Sequence, residues 1–442
     1  MNEVLIKGGQ LLLSLSILIV LHELGHYLAA RWFGVRVEKF YLFFNPWFSL
    51  LRFRYKGTEY GVGWLPLGGY VKIAGMVDES LDREQLRQPP QPYEFRSKPA
   101  WQRLIIMLGG IIMNVLLGVL IYWMLLLLRG EQYLPVANMK YGIAVDSIGA
   151  ALGFQDGDRI VAIDGEPVEN FAAVPARIII DRARTVTVER NGRQVEVTLT
   201  DADIAKIVDS RNAATFISVR FPFVVHEVMA GGAADEMGMR RNDVVVAVND
   251  MPVIFYHDVR RLLYLSRNQP VAVTVLRDGR LVRLAGTLGA DGLLGVRPYF
   301  YDQFLKTESK KYNIFTAFPA GISKAWATVE GYAKQFALIF SPEIQGYKHL
   351  GGFITIASAF SPVWDWEAFW SFTGFLSLVL AFMNLLPIPA LDGGHVLFTL
   401  VEMVTRRKPG EKFLEYAQIA GMVFLLALIL YANGNDIFRI FR

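Results

Sequence analysis

The hydrophobic positions of this chain are concentrated in four long apolar runs. They cover approximately residues 11–33, 104–128, 368–388 and 413–432. Each approaches the roughly 20 residues that a helix needs to cross a hydrocarbon core about 30 Å thick. Because the first run has no small-x-small cleavage pattern, we interpret it as a retained helix and not as a secretory signal. The pattern therefore predicts four transmembrane helices.

The interval between the second and third runs contains an internal repeat. The segment "FQDGDRIVAIDGEPV" (154–168) matches "MRRNDVVVAVNDMPV" (239–253), and "VTVERNGRQV" (186–195) matches "VTVLRDGRLV" (273–282). Both matches have the same order along the chain. Each copy combines alternating apolar strands, an Asn-Gly or Asp-Gly turn and a short helical stretch. The repeat predicts two tandem α+β domains of about 85 residues each.

Composition supports a membrane protein and excludes several other classes. Hydrophobic residues make up 53% of the chain and charged residues only 19%. The net charge of +4 is spread along the sequence, so we predict no nucleic-acid partner. The chain has no cysteine, so a bound metal must be held by His, Asp or Glu side chains.

The distribution of Lys and Arg predicts the orientation in the membrane. The interval 34–102 is rich in basic residues, and the connection before the fourth run contains Arg406 and Arg407. Basic connections favour the cytoplasmic side. We therefore expect both termini and the interval 129–367 on the opposite side.

The first apolar run contains the metal-binding pattern "HELGH". His22 and His26 are four residues apart, so both imidazoles lie on one face of a helix and can reach one ion. Glu23 lies beside them and can transfer a proton. Each ionisable group inside a membrane costs about 2.5 to 3.5 kcal/mol unless it has a partner, and a bound dication would be such a partner.

A third ligand is expected from "NLLPIPALDGGHVL" (384–397), at the end of the third run. Asp392 is the favoured ligand, because two negative carboxylates, Asp392 and Glu23, would balance one Zn²⁺ ion in a medium of low dielectric constant. His395 is the alternative, either as a ligand or as a hydrogen-bond partner of one.

Together these features resemble one known family. His-Glu-x-x-His in the first run, "GVGWLPLGGYVKIAG" (61–75), the tandem domains and "NLLPIPALDGG" in the third run resemble bacterial site-2 intramembrane metalloproteases, of the regulator-of-sigma-E protease type. Two departures are visible. The family often has Gly-Pro-x-x-Asn in the second run, where this chain has "GIIMN" (110–114), and a Gly-Pro before the third run, where Phe353 follows Gly352.

The resemblance implies a set of site residues. It assigns zinc binding to His22, His26 and Asp392, and the role of general base to Glu23. It also implies that Asn384, Pro387 and Pro389 hold an unwound substrate. A loop at 67–70, with Gly68 and Gly69, is expected to dip into the membrane as a β-hairpin beside the site.

The resemblance also implies a fold class, partners and a location. The expected fold is a polytopic α-helical membrane protein with four transmembrane helices, a membrane-associated β-hairpin or sheet and two α+β PDZ-like domains. Expected substrates are single-span membrane proteins, such as anti-sigma factors, or signal-peptide remnants, whose extracytoplasmic tails the PDZ-like domains would contact. The expected location is the bacterial inner membrane, with both termini and the PDZ-like domains in the periplasm.

The predicted layout follows the chain from one end to the other. It comprises a first transmembrane helix with the zinc motif (1–33), a cytoplasmic loop with a membrane-dipping β segment (34–102), a second transmembrane helix (103–128), a first PDZ-like domain (129–205), a second PDZ-like domain (206–298), an amphipathic membrane-surface region (299–367), a third transmembrane helix with the Asp ligand (368–397), and a cytoplasmic connection with the fourth transmembrane helix (398–442).

Several alternatives remain open at this stage. The apolar side chains of 313–340 have helical spacing and fit either a membrane surface or packing against the second PDZ-like domain. The whole chain could also be a membrane-anchored zinc protease of soluble proteins, a non-catalytic PDZ receptor, or a transporter with a broken helix. A receptor would not need Glu23, and a transporter usually shows an inverted repeat.

Overall fold

The structure is a computed structural model that describes residues 3–66, 68–76, 89–210 and 215–441. The α-helices of these segments are α1 (Glu3–Trp32), α2 (Ala100–Arg129), α3 (Ser147–Ala151), α4 (Val174–Ile180), α5 (Asp201–Asp209), α6 (Ala233–Glu236), α7 (Tyr256–Leu265), α8 (Ile314–Ile339), α9 (Phe353–Ser358), α10 (Trp366–Leu385), α11 (Asp392–Thr405) and α12 (Glu411–Ile440).

The strands belong to several small sheets. They are β1 (Val37–Leu42), β2 (Phe44–Tyr55), β3 (Thr58–Leu65), β4 (Tyr70–Ile73), β5 (Glu131–Tyr133), β6 (Ile143–Val145), β7 (Arg159–Ile163), β8 (Glu166–Pro167), β9 (Thr185–Arg190), β10 (Arg193–Thr198), β11 (Ile217–Val219), β12 (Val225–Val228), β13 (Val244–Val248), β14 (Met251–Pro252), β15 (Pro270–Arg277), β16 (Arg280–Thr287), β17 (Val296–Pro298) and β18 (Glu308–Lys310). The chain divides into two compact units, which are described separately. The first comprises Met1–Gly130, Lys311–Ala337 and Tyr347–Arg442, and the second comprises Glu131–Lys310 and Leu338–Gly346.

The first unit contains the predicted membrane helices. Within the described part of the chain, α1, α2, α10 and most of α12 are long and apolar enough to cross a bilayer. Many of their large side chains face outward, including Leu116 and Leu430, as expected for helices surrounded by lipid. The prediction of a membrane protein with four such helices is confirmed.

Helices α1 and α2 approach each other closely where both carry glycine. A Cβ atom added to Gly109 would lie 2.5 Å from the carbonyl oxygen of Gly25. Small residues at a helix crossing allow two backbones to come into contact in a membrane. This crossing lies in the same helical turns as the predicted histidine ligands.

The third apolar run differs from the prediction of one helix over 368–397. Helix α10 ends at Leu385, and Asp392 is the first residue of a separate helix, α11. Pro387 and Pro389 explain the difference, because proline has no backbone N–H and its ring clashes with the preceding turn of a helix. The connection 386–391 also contains Ala390 in a left-handed conformation with φ 79°.

A four-stranded sheet follows α1, with strand order β2-β3-β1-β4. Val37 of β1 and Ile73 of β4 are buried against the end of α1 and the start of α2, in a cluster that includes Ala30 and Ile106. The long strand β2 instead exposes several large apolar side chains, namely Trp47, Phe48, Leu50, Leu51 and Phe53. The predicted β segment is thus a sheet with one apolar exposed edge, although Leu67 of the expected loop lies outside the described residues.

The second unit contains two copies of one arrangement. The first copy has a sheet of order β10-β9-β7-β8 and the second a sheet of order β14-β13-β15-β16. A buried ion pair recurs at equivalent positions, Asp158 with Arg190 and Asp243 with Arg277, each at 2.7 Å. Each copy has its own apolar core.

The boundary between the copies lies later than the predicted residue 205. Strand β11 pairs with β6, and Phe216 and Ile217 are buried in the core of the first copy. Residues up to Val219 therefore complete the first copy. Strand β17 pairs with β12 in the same way and closes the second copy at Pro298. The sequence matches covered only 154–195 of the first copy, so they did not reveal this closing strand.

Helix α8 occupies most of the predicted amphipathic stretch. Its buried face packs on α2 and α10, where Ala325 lies with Tyr122 and Leu378. Trp123 also makes an edge contact with the ring of Phe318, with ring centroids 5.7 Å apart. Trp326, at 71% exposure, faces outward. The amphipathic pattern therefore reflects a helix that packs along the membrane helices.

Candidate metal centre

Three predicted ligands come together in the first unit. His22 and His26 are buried on one face of α1, and Asp392 meets them from the first turn of α11. The Asp392 Oδ2 atom lies 3.1 Å from His22 Nε2 and 3.2 Å from His26 Nε2. The two Nε2 atoms are 3.3 Å apart.

These distances fit a tetrahedral zinc ion. Zinc bonds of about 2.0–2.2 Å to nitrogen and oxygen place two ligands of a tetrahedron about 3.3–3.5 Å apart. The three observed separations are close to that value. Asp392 Oδ2 is buried and has no hydrogen-bond partner among the described residues. A bound cation would satisfy an oxygen in that position, so these three side chains could hold zinc and leave a fourth position open.

The backbone of α2 fixes one of the two imidazoles. His26 Nδ1 lies 2.8 Å from the carbonyl oxygen of Ile106. Because a carbonyl oxygen only accepts hydrogen bonds, Nδ1 carries the proton, and Nε2 keeps a lone pair with which it could bind an ion. A hydrogen bond on the far nitrogen of this kind orients most metal-binding histidines.

Asn114 of α2 fixes the other imidazole. Its side-chain nitrogen lies 3.0 Å from His22 Nδ1, while its Oδ1 is buried without a partner in the described part of the chain. Exchanging the oxygen and nitrogen of the amide, which keeps its shape, lets His22 Nδ1 donate to Oδ1 and moves the amide nitrogen to the position without a partner. His22 Nε2 is then also free to bind the ion.

Gly110 makes the space for both rings. A Cβ atom at this position would come within 2.6 Å of His22 Cε1 and even closer to His26 Nε2. Any larger residue would therefore enter the ligand group. Gly110 and Asn114 both belong to "GIIMN", which the sequence singled out as a departure from the family pattern but to which it assigned no function.

Glu23 lies next to the ligand group without joining it. The side chain is half-buried, and the backbone amide of Val71 donates a hydrogen bond to its carboxylate. Val71 belongs to β4, an edge strand of the sheet that follows α1. The carboxylate is therefore held between the metal ligands and a sheet edge.

The residues predicted to bind substrate surround the same place. Asn384 Nδ2 lies 3.4 Å from His22 Nε2. Pro387 and Pro389 form the non-helical connection before Asp392. A Cβ atom at Gly69 would come within 2.5 Å of Ile19 Cγ2, so the loop before β4 lies directly on α1. The structure thus places Asn384 beside a ligand and Gly69 against α1 one helical turn before His22, while both prolines lie in the connection that leads to Asp392.

His395, the alternative ligand, is not part of the group. Within the described residues, the His, Asp and Glu atoms that lie within 4.8 Å of one another at this site come from His22, His26 and Asp392. The backbone carbonyl of His395 instead accepts a hydrogen bond from Thr399. Among the described residues, another group of side chains that could hold a metal ion lies in the second unit and consists of Asp156, His257 and Asp258.

Comparisons with known proteins identify relatives along the whole chain. The model of peptidase family M50 matches residues 10–428. A relative from Vibrio cholerae, named as a zinc metalloprotease, is 29% identical over the full length of both chains. Another with that description, from Ralstonia nicotianae, is 30% identical over 97% of each chain. The regulator of sigma-E protease RseP of Salmonella typhimurium is 27% identical over the full length of both chains.

Proposed function

The chain belongs to peptidase family M50 and is a zinc metalloprotease of the membrane, and from this premise we propose that it cuts the transmembrane segments of single-span proteins. The position of the ligand group carries the proposal. His22 and His26 lie within a membrane-spanning helix, and Asp392 lies just after another. A protease of soluble proteins would have no reason to place its ligands there.

His22, His26 and Asp392 would hold the zinc ion, and their separations fit that role. Bound zinc polarises a peptide carbonyl and lowers the pKa of a bound water to about 7. Ile106 and Asn114 would keep both imidazoles oriented by hydrogen bonds to Nδ1.

Glu23 would move the protons. Its carboxylate would accept a proton from the attacking water and would then donate a proton to the leaving amine. The hydrogen bond from the Val71 amide would hold the carboxylate beside the ligands. Three observations support Glu23 as the general base. Its carboxylate lies beside the ligand group, it makes no bond to that group among the described residues, and the family resemblance implies the same role.

The substrate must be unwound before it can be cut, because a helix hides its carbonyl groups in hydrogen bonds. We expect the segment to bind in an extended form beside β4, whose outer edge faces Glu23, so that strand pairing replaces the lost helical bonds. Asn384 would bind the substrate backbone from the other side, and Pro387 and Pro389 would keep that wall non-helical.

The two copies in the second unit would act as PDZ-like domains outside the cytoplasm. One of the relatives is named a regulator of sigma-E protease, which makes anti-sigma factors a reasonable class of substrate in regulated intramembrane proteolysis. Signal-peptide remnants are the other class. We expect these domains to exclude substrates with large extracytoplasmic parts. The proposed location of the protein is the bacterial inner membrane.

The test is cleavage of two matched substrates by the purified full-length protein in liposomes. One carries a single transmembrane segment with short tails, and the other carries the same tails joined by a soluble linker. We expect cleavage of the first only, at a bond inside the membrane segment, located by mass spectrometry. Cleavage in the tails, or equal cleavage of both, would support the alternative protease of soluble proteins. No cleavage of either would support a receptor or a transporter.

A further inference from the structure

A second group of metal-ligand side chains lies between the two copies of the second unit. Asp156 belongs to the turn before β7 in the first copy, while His257 and Asp258 begin helix α7 in the second. Neither the proposed protease site nor the sequence repeat explains why these three should meet. From this geometry we propose that Asp156, His257 and Asp258 form a second zinc site that joins the two copies.

The distances between the side chains resemble those of the first site. His257 Nε2 lies 3.2 Å from Asp156 Oδ2 and 3.2 Å from Asp258 Oδ1. These values are close to the separation of about 3.3 Å between two ligands on a tetrahedral zinc ion. At the first site the corresponding nitrogen-to-oxygen distances are 3.1 and 3.2 Å.

The imidazole of His257 has two carboxylate oxygens 3.2 Å from Nε2 but makes no well-aligned hydrogen bond in the described part of the chain. Both of its ring nitrogens are buried and have no aligned hydrogen-bond partner among the described residues. A protonated imidazole between two carboxylates would direct an N–H at one of them. A ring nitrogen that binds an ion shared with the carboxylates does not need an N–H aligned with a carboxylate oxygen. Buried polar atoms without such an ion almost always have a hydrogen-bond partner.

The surrounding charges favour a dication. Asp156 receives a hydrogen bond from the Val145 amide on Oδ1, which leaves Oδ2 for the ion. Two carboxylates and a neutral imidazole would balance Zn²⁺. Two arginines lie nearby: Arg261 is largely exposed and lies 3.5 Å from Asp258 Oδ1, at the long end for an ion pair, and the Arg220 guanidinium lies over the Phe255 ring.

Aromatic side chains and one arginine pack beside the site. The ring of Phe255 contacts Tyr141 of the first copy, with centroids 5.4 Å apart, and the guanidinium of Arg220 lies 3.9 Å above Phe255. His257 packs beside Phe255. Side chains that are already packed lose little conformational entropy when an ion binds, and the ion would link the two copies.

The zinc content of the full-length protein in detergent tests the proposal. Protein stripped with a chelator is reloaded with Zn²⁺ alone, dialysed and measured by mass spectrometry of the metal. We expect two zinc ions per chain in the parent. His257→Gln and Asp156→Asn should each bind one ion, and Asp392→Asn should also bind one, because it affects only the first site.

Two controls separate metal binding from misfolding and from the proposed protease activity. His226→Gln changes a histidine outside the group and should keep two ions, and Glu23→Gln should keep two ions as well. Each variant is accepted only if it elutes as a single species and has the parent's circular dichroism. One ion in the parent, unchanged in His257→Gln and in Asp156→Asn, would overturn the second site and leave the protease proposal intact.

Discussion

At the scale of single residues, the proposed metal centre is surrounded by side chains that are not themselves proposed ligands. The sequence predicted His22, His26 and Asp392 from their spacing and from the need to compensate charge in a membrane. It assigned no function to Gly110 or Asn114, because their roles arise only when α2 crosses α1 at a particular height. A helix pattern predicts which face is apolar, but it does not predict which residue of a neighbouring helix lies opposite.

Gly110→Ala should weaken zinc binding about 10- to 100-fold, as expected when the support of a metal ligand is disturbed. The added methyl group would come within 2.6 Å of the His22 ring. The measurement is zinc affinity by competition with a chelator, in protein that retains its helix content.

Gly118→Ala is the matched control for this prediction. It lies on the same helix, and its added Cβ would meet Leu378 Cγ at 2.6 Å, away from the metal ligands. Both substitutions overpack a helix contact and should cost roughly 1–3 kcal/mol of stability. Equal zinc affinities in the two variants would contradict the role given to Gly110.

At the scale of elements, the sequence predicted which segments form helices and strands better than it predicted where those helices and strands end. The predicted layout had one helix over 368–397, whereas in the structure α10 ends at Leu385 and a new helix begins at Asp392, with Pro387 and Pro389 between them. The sequence could not show that the break separates two helices, since apolar residues continue on both sides. The closing strand β11 was likewise not predicted, because Ile217–Val219 is too short to carry a pattern.

The recurring buried ion pair gives a testable feature of the second copy. Asp243→Asn should destabilise that copy by about 3–5 kcal/mol, because it leaves the charge of Arg277 without its partner. Hydrogen exchange of the β13 and β15 amides in the full-length protein measures the loss. Asp250→Asn removes an exposed pair with Arg283 and should cost only about 0–1 kcal/mol.

The same pair predicts a dependence on pH. Burial alone would raise the pKa of Asp243, but hydrogen bonds from Arg277 and from the Arg240 amide outweigh it and lower the pKa. The lowered pKa means that the stabilisation is complete above the unfolded value of about 3.9 and is lost as the pH falls through the folded value. The difference in stability between parent and Asp243→Asn, measured by hydrogen exchange, should therefore be constant near neutral pH and should shrink below about pH 4.

At the scale of the whole molecule, charge and hydropathy predicted a membrane protein with four spanning helices, and the structure and relatives agree. They also predict which side each connection faces, and this can be tested directly because the parent chain has no cysteine. We expect Gln91→Cys and Arg407→Cys to react only after the inner membrane is permeabilised. Arg193→Cys and Arg280→Cys should react with an impermeant maleimide in cells with only the outer membrane opened.

The cysteine-free parent is the control for this labelling and should not react. Labelling of Arg193→Cys only after full permeabilisation would reverse the proposed orientation. The membrane sidedness of the second unit matters for function, since it decides which part of a substrate the two copies can contact.

We propose that Glu23 transfers protons beside a zinc ion held by His22, His26 and Asp392. The most direct test compares the parent with Glu23→Gln in liposomes, with zinc content and cleavage of a single-span substrate measured on the same samples. We predict unchanged zinc content and cleavage that is slower by a factor of about 10² to 10⁴. Cleavage by Glu23→Gln at the parent's rate, with zinc still bound, would contradict the account.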